Sequence, residues 1–594
     1  MAIDDKPALT PVYPTQLVMA PIPVPGVRVI ENVYVTMRDG VRLAVDIYLP
    51  KTDGRYPALL SLAPYLKEIQ RKPPQWSHAI ESGATSFYVP KGYVHVIAQG
   101  RGAGLSQGQW KWFDDRERFD GYDLIEWIAA QPWCTGLVGM IGDSYWSWSQ
   151  YAAAIVQPPH LKCICQQDAT TDFYRDVCFQ GGIYHHQFVT GWVAYHTAMQ
   201  AWPGPVDGKL PPMSLLYEAH MHPCDGSFWR ERSAWTQLDR IKVPVMSIAP
   251  QGGQMHFRGQ LWGYPRINAP KKLLIVPPTG FWSHVRYLTD RGLNRQMLRW
   301  FDHWLKDIDT GIMDEPEVAI FDSGTRQWRY ENEYPVKRAQ WTKFYLRARS
   351  ADPASAVGAH AAQAAAEPAP HPLHGLFSDA APGHEPPDTY RLPESLAQLG
   401  AGKPVLAYAT EPLEQALRIW GPLSLTLYAS SDRIDTAWYL KVMDVKPDAT
   451  ATMVSKGNLK ASFRRVDEAW SGPGQPFHPF ETQELLEPGR IYEFQIELVP
   501  MFHTFGANHR LQVQIASEDV QYSNPMRQID VQLLPWPVAN TVHHDAAHPS
   551  HLLLPVVPDA PALRAVAPPL SDIDWPLVPG FWMANTDGWP LRDE

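Results

Sequence analysis

Cysteine is scarce and follows no pairing pattern. The 594 residues hold five, Cys134, Cys163, Cys165, Cys178 and Cys224. An odd number without C-x-x-C spacing excludes a disulfide framework or a cysteine zinc site as the organising device. Basic blocks are missing as well. With 52 Lys and Arg against 62 Asp and Glu the net charge is −10, and without clustered cations neither nucleic acid nor an anionic membrane is the expected partner. No apolar run approaches membrane-spanning length. The start, MAIDDKPALTPVYPTQLVMAPIPVPG, carries early acids and scattered prolines where an export signal has a basic start and an apolar core. A cytoplasmic, reducing location is therefore expected. The chain shows no H-E-x-x-H or other clustered metal spacing, and GRGAG lacks the third glycine of a dinucleotide loop because Leu105 stands there. Neither metal nor cofactor is expected.

What is abundant is proline, at 57 residues, and tryptophan, at 24, in a chain 45% hydrophobic and 19% charged. This describes globular, loop-rich domains. VYVTMRDGVRLAVDIYLP alternates apolar residues on both sides of Asp39-Gly40, a hairpin signature. Short β-like runs then alternate with helical ones: YPALLSLAPY, GYVHVIAQ, a helix through Tyr122, Ile125 and Ile128, LVGMIGD, LKCICQQD, VPVMSIAP, KLLIVPPT and the helix NRQMLRWFDHWLKDI. That order predicts an α/β fold with a doubly wound, mostly parallel sheet over residues 1–345. Between about 175 and 238 the alternation stops, and a helical cap insertion is expected. Residues 351–388 are rich in Ala, Pro and Gly and read as a linker or long loop. Beyond them LSLTLYASS, AWYLKVMDVKP, IYEFQIELVP and HRLQVQIAS predict an all-β sandwich as the second domain, 346–594.

GMIGDSYWSWSQYAAA places Ser144 between a strand-like and a helix-like run, with Gly142 two residues before it and the small Ser147 three after. A serine on such a turn can be held strained above the sheet edge as a nucleophile. It needs a base, and an imidazole suits neutral pH. His284, just after KLLIVPPT, is the favoured candidate because loops at the carboxyl edge of the sheet converge on the site; His256, His185 and His186 are rivals.

GDSYWSWSQYAAA resembles the G-x-S-Y-x-G turn of the cocaine-esterase and X-Pro dipeptidyl-peptidase family of α/β-hydrolases, with Ser147 at the tight position. DGVRLAVDIYLP, APY, RGAGLSQG, TTDFYRD and FWSH are similar to further segments of that family, and IWGPLSLTLYASSDRIDTAWYLKVMDVKPD to its jelly-roll domain. The resemblance spans about 30 to 540. It implies a serine hydrolase in which Ser144 attacks an acyl carbonyl, His284 shuttles the proton, and the phenol of Tyr65 and the backbone N–H of Tyr145 receive the oxyanion.

One departure matters. The family places its acid before the histidine strand, and here SIAPQGGQMHF has no carboxylate between Pro250 and Gly259. Asp168 ends LKCICQQD, the strand expected beside that of Ser144, and an acid there meets the geometric requirement; it also aligns with the acid of family members that lack the usual aspartate. Asp172 is expected to cap the next helix or pair with Arg175, Asp143 to point away, and Asp290 is a weaker candidate. The missing acid also leaves open a degenerate scaffold that binds carbohydrate or a partner. Within the enzyme class, the insertion's acids Asp207, Glu218 and Asp225 form no ammonium-binding cluster. A small-molecule carboxylic ester is thus the first expected substrate, ahead of an X-Pro peptide or an amide.

Overall fold

The computed structural model describes residues 26–68, 81–204, 206–252, 255–278, 291–348, 373–392, 405–517, 537–561 and 563. The Asp39-Gly40 turn joins β1 (Val27–Thr36) to β2 (Arg42–Pro50), antiparallel with Thr36 opposite Arg42. Gly40 supplies the turn's left-handed residue, φ 85°. Next come β3 (Tyr56–Ala63), β4 (Val94–Gln99), β5 (Cys134–Asp143) and β6 (Leu161–Gln167). A two-strand ribbon, β7 (Phe179–Gln180) and β8 (Ile183–Tyr184), precedes β9 (Val245–Pro250), β10 (Lys271–Val276), β11 (Val318–Asp322) and β12 (Gln327–Glu331). The large sheet runs β1-β2-β4-β3-β5-β6-β9-β10-β11-β12, parallel from β4 to β11.

Both faces of the central strands are covered, because neighbouring residues point to opposite sides. Leu60, Met140 and Ile164 enter one core with Leu124, Ile125, Ile128 and Ala153, from the helices Asp115–Ala129 and Tyr145–Ile155. Leu59, Ile141, Cys163, Cys165 and Ile248 enter the other with Met297, Trp300, Phe301 and Leu305 of helix Arg291–Lys306. The near-continuous apolar run of each strand is thus the mark of burial on two sides. Each large side chain so buried contributes about 1.5–3 kcal/mol.

The cap region contains the ribbon, the helices His186–Ala201, Leu215–Met221 and Ser227–Glu231, and a π-helical turn at Phe173–Cys178. Ser214 caps Leu215–Met221 through its hydroxyl.

The second part is all β. From Gln340 to Val556 its strands form an 11-stranded sheet, which closes on itself where Leu417–Ser431 pairs with His551–Val556. A strand, Gly375–Ser378, falls within the stretch expected as linker and pairs with Gln340–Ala348. The average composition of 351–388 hid this short GLFS run; residues 351–372 lie outside the described set. The two parts meet in an apolar layer where Phe257, Leu261, Val318 and Ile320 pack with Trp420, Val499 and Phe502. Among the described residues no helix is long and apolar enough to cross a membrane.

Candidate active site

Ser144 follows β5 directly and sits at φ 57°, ψ −124°, ahead of helix Tyr145–Ile155. A left-handed non-glycine residue of this kind costs about 1–3 kcal/mol and must be held by its surroundings. The holding is visible. Gly142 has φ 152°, and a Cβ there would lie 2.3 Å from Cβ of Trp146, so only glycine fits. Ser147, fully buried, donates through Oγ to Gly142 O at 2.6 Å and accepts from Gln167 N–H at 2.8 Å, stitching the turn to β6. Ser144 itself is partly exposed. Its hydroxyl makes no hydrogen bond to a described residue.

Tyr145 is the first helical residue, so its N–H has no carbonyl one turn behind it and is open to an incoming acceptor. Tyr65 lies two residues beyond β3, 2% exposed, with its ring 6.0 Å from those of Tyr145 and Trp146. Burial, and then the Glu81 carboxylate, push its phenol well above the ordinary range, so it stays a proton donor. Trp192 Nε1–H points at its oxygen from 3.5 Å.

The register brings Asp168 to the serine's neighbourhood. Asp143 and Gln167 are opposite one another in the parallel pair β5–β6, and the next residue on each strand is Ser144 and Asp168. Asp168 is also left-handed, φ 50°, and 6% exposed. Its N–H donates to Ile248 O of β9 at 3.1 Å. Its Oδ1 lies 3.6 Å from His256 Nδ1, and the His256 ring packs edge-on against Trp148 at 5.5 Å. His284 and Asp290 lie outside the described residues, eight and fourteen positions after β10 ends at Val276.

The other candidates are engaged elsewhere. Asp172 accepts from the N–H groups of Tyr174 and Arg175 and pairs with the Arg175 guanidinium at 2.8 Å, as both its expected roles require. Asp143 accepts from Gln167 Nε2–H at 3.2 Å. His185 Nδ1 faces Val177 O at 3.3 Å within the cap, and His186 opens a cap helix.

A carboxylate that sequence reasoning missed sits behind the turn. Glu117 accepts from the Tyr145 phenol at 2.7 Å and from Phe113 N–H at 2.9 Å, while Trp110 Nε1–H donates to the same phenol at 3.0 Å. Burial first, and Asp114 second, push Glu117 up to about 8. Nothing in DRERFDGYD marks it, since Glu117 reads as one more charge on an amphipathic helix.

A Ser–His–Asp chain also occurs between the two parts, with Ser323 Oγ 2.8 Å from His503 Nδ1 and His503 Nε2 3.1 Å from Asp444. There the amides are spent: Ser323 N–H donates to Phe502 O, and those of Gly324 and Thr325 to the Asp322 carboxylate. With these three amides engaged, that chain acts as a clasp between the parts.

Sheet order and elbow define the class, an α/β-hydrolase. Residues 39–286 match the model of the X-Pro dipeptidyl-peptidase (S15) family and residues 310–553 that of the X-Pro dipeptidyl-peptidase C-terminal non-catalytic domain; the two together span most of the chain, which belongs to this family of serine hydrolases. The cocaine esterase of a Rhodococcus species is 28% identical over 89% of this chain and 98% of its own length. A putative Xaa-Pro dipeptidyl-peptidase of Bacillus anthracis is 23% identical over 83% and 84%. Among solved structures, a CocE/NonD family hydrolase of Staphylococcus aureus has TM-score 0.77 at 23% identity, covering 89% of this chain and 93% of that one. An α-amino acid ester hydrolase has TM-score 0.69 at 19% identity, covering 92% and 100%. At these identities the likeness shows the shared fold.

Proposed function

We propose that the protein hydrolyses carboxylic esters through an acyl-enzyme on Ser144. The observation that carries this is the strained, partly exposed Ser144 at the end of β5, beside Asp168 in register. Ser144 Oγ attacks the acyl carbonyl, His284 takes its proton and returns it to the leaving alkoxide, and water repeats the sequence to release the acid. Asp168 orients the imidazole and balances the imidazolium formed during attack. The Tyr145 N–H and the Tyr65 phenol receive the negative oxygen, each such donor being worth about 3–4 kcal/mol in the transition state. The side chains around the turn, Trp110, Trp112, Phe113, Trp148 and Trp192, are aromatic and favour an apolar acyl or alcohol group. Similarity to the cocaine esterase supports the ester reading, and the family model and the peptidase relatives support X-Pro peptides as the alternative.

Three finer readings accompany this one. The division expected at 345/346 would cut the strand Gln340–Ala348, whose partners are all in the β part, so we place it between β12 and that strand. The β part is a jelly roll, supported by its sequence resemblance. The compartment is cytoplasmic and reducing, supported by five free thiols.

A fluorophosphonate probe tests the chemistry. Covalent labelling of the native chain and none of Ser144→Ala is expected, with aryl and alkyl esters cleaved faster than X-Pro p-nitroanilides. Labelling that survives in Ser144→Ala contradicts the nucleophile, and faster anilide cleavage contradicts the substrate class.

A further inference from the structure

Asp168 stands on a loop that the β part grips. Arg258, on helix Phe257–Gly263 directly after His256, donates through Nε to Glu497 Oε2 at 2.8 Å and through Nη1 to Asp176 Oδ1 at 2.9 Å. The other oxygen of Asp176 accepts from the Thr170 hydroxyl, two residues beyond Asp168. Gly259 closes the assembly: a Cβ there would lie 1.9 Å from Asp176 Oδ2 and 2.7 Å from Thr170 Oγ1. Thr171 Oγ1 donates to Gly259 O at 2.9 Å, fastening the loop to the same helix. Glu497 belongs to strand Tyr492–Phe505 of the second part. Nearby, Arg175 donates to His478 O at 3.1 and 3.0 Å and to Pro479 O at 3.1 Å, while pairing with Asp172 and with Asp225 at 2.9 Å.

Stability alone does not account for so many buried ions. Desolvating each costs several kcal/mol, and well-packed apolar side chains of similar volume often serve as well or better. What a buried charge network does supply is direction, since each bond here fixes an angle as well as a distance. The residue that needs fixing is near at hand. Asp168 holds a left-handed backbone, which persists only when its surroundings over-determine it.

We propose that Glu497, from the family's non-catalytic domain, is a positioning residue for catalysis: through Arg258, Asp176 and Thr170 it sets the loop that aims Asp168. The proposal rests on Asp168 being the acid of the relay. Loosening the chain turns that carboxylate away from the imidazole, so the base loses its counter-charge and its own titration moves to lower pH. Substrate binding is expected to change little, because Glu497, Arg258, Asp176 and Thr170 spend these bonds on one another.

The test uses the full chain with turnover normalised to active sites titrated by the fluorophosphonate. Glu497→Gln and Thr170→Val are each expected to lower kcat about tenfold with KM within twofold, and to shift the acid limb of kcat/KM downward by about half a pH unit or more. The pair should do no worse than either alone, because both cut one chain. Unchanged kcat and limb in the folded single variants, or effects that multiply in the pair, overturn the proposal. Should Glu497→Gln not fold, Arg258→Lys, which keeps the charge and loses the fork, is read by the same criteria. A native chain that turns over independently of Ser144 sinks the functional reading instead, so the two failures are distinguishable.

Discussion

At the scale of single residues, the turn at Ser144 is governed by local sterics. A side chain at position 142 would meet Trp146, and a larger one at 147 would lose the bonds from Ser147 to Gly142 and Gln167. Apart from the bond with Gln167, these demands lie within six residues, which is why the elbow could be read from GMIGDSYWS. Tyr65 is different in kind: its nearness to the turn comes from the pairing of β3 with β5, which resemblance could point to and composition could not. Its phenol is buried and remains protonated, so Tyr65→Phe removes one donor and little volume. We expect kcat to fall about 100-fold or more with KM nearly unchanged; a loss under threefold in steady-state ester hydrolysis would mean that this phenol does not serve the oxyanion.

At the scale of elements, helix Asp115–Ala129 supports the helix that Tyr145 begins. Phe113 stacks on the Tyr145 ring at 3.8 Å while Glu117 accepts its phenol. A carboxyl raised to about 8 in the folded chain binds its proton more tightly than in the unfolded one. Stability from this group is therefore greatest below its unfolded value and declines as pH rises through roughly 5 to 8, at up to about 1.4 kcal/mol per pH unit. Glu117→Gln should flatten that decline in chemical denaturation curves across the window; a slope equal to that of the native chain would rule the group out. Strands β3 to β6, β9 and β10 were legible because each buries both faces and so reads as a short apolar run. Others were not, β7, β8, β11 and β12 among them. Gly375–Ser378 is a strand only through its long-range partners, and Glu117 acquires its meaning from a tyrosine 28 residues away.

At the scale of the molecule, the β part closes its sheet through strands more than a hundred positions apart, a pairing that no local pattern announces. It then presents Glu497 to Arg258 after β9, and the His478 and Pro479 carbonyls to Arg175 after β6. In the proposed relay the missing acid of SIAPQGGQMHF is answered from the strand next to the nucleophile, Ser144 and Asp168 following β5 and β6 directly at the carboxyl edge. His256, weighed only as a rival base, turns out to share the neighbourhood of Asp168. The relay from Ser144 through an imidazole to Asp168 is tested most directly by single-turnover acylation of Asp168→Asn with a p-nitrophenyl ester, beside Asp172→Asn as a control. The asparagine presents an amide where the imidazole needs an acceptor, so acylation of Asp168→Asn should slow about a thousandfold or more while Ser144 still labels slowly with fluorophosphonate. Acylation within tenfold of the native rate, or an equal collapse in Asp172→Asn alone, would contradict the assignment.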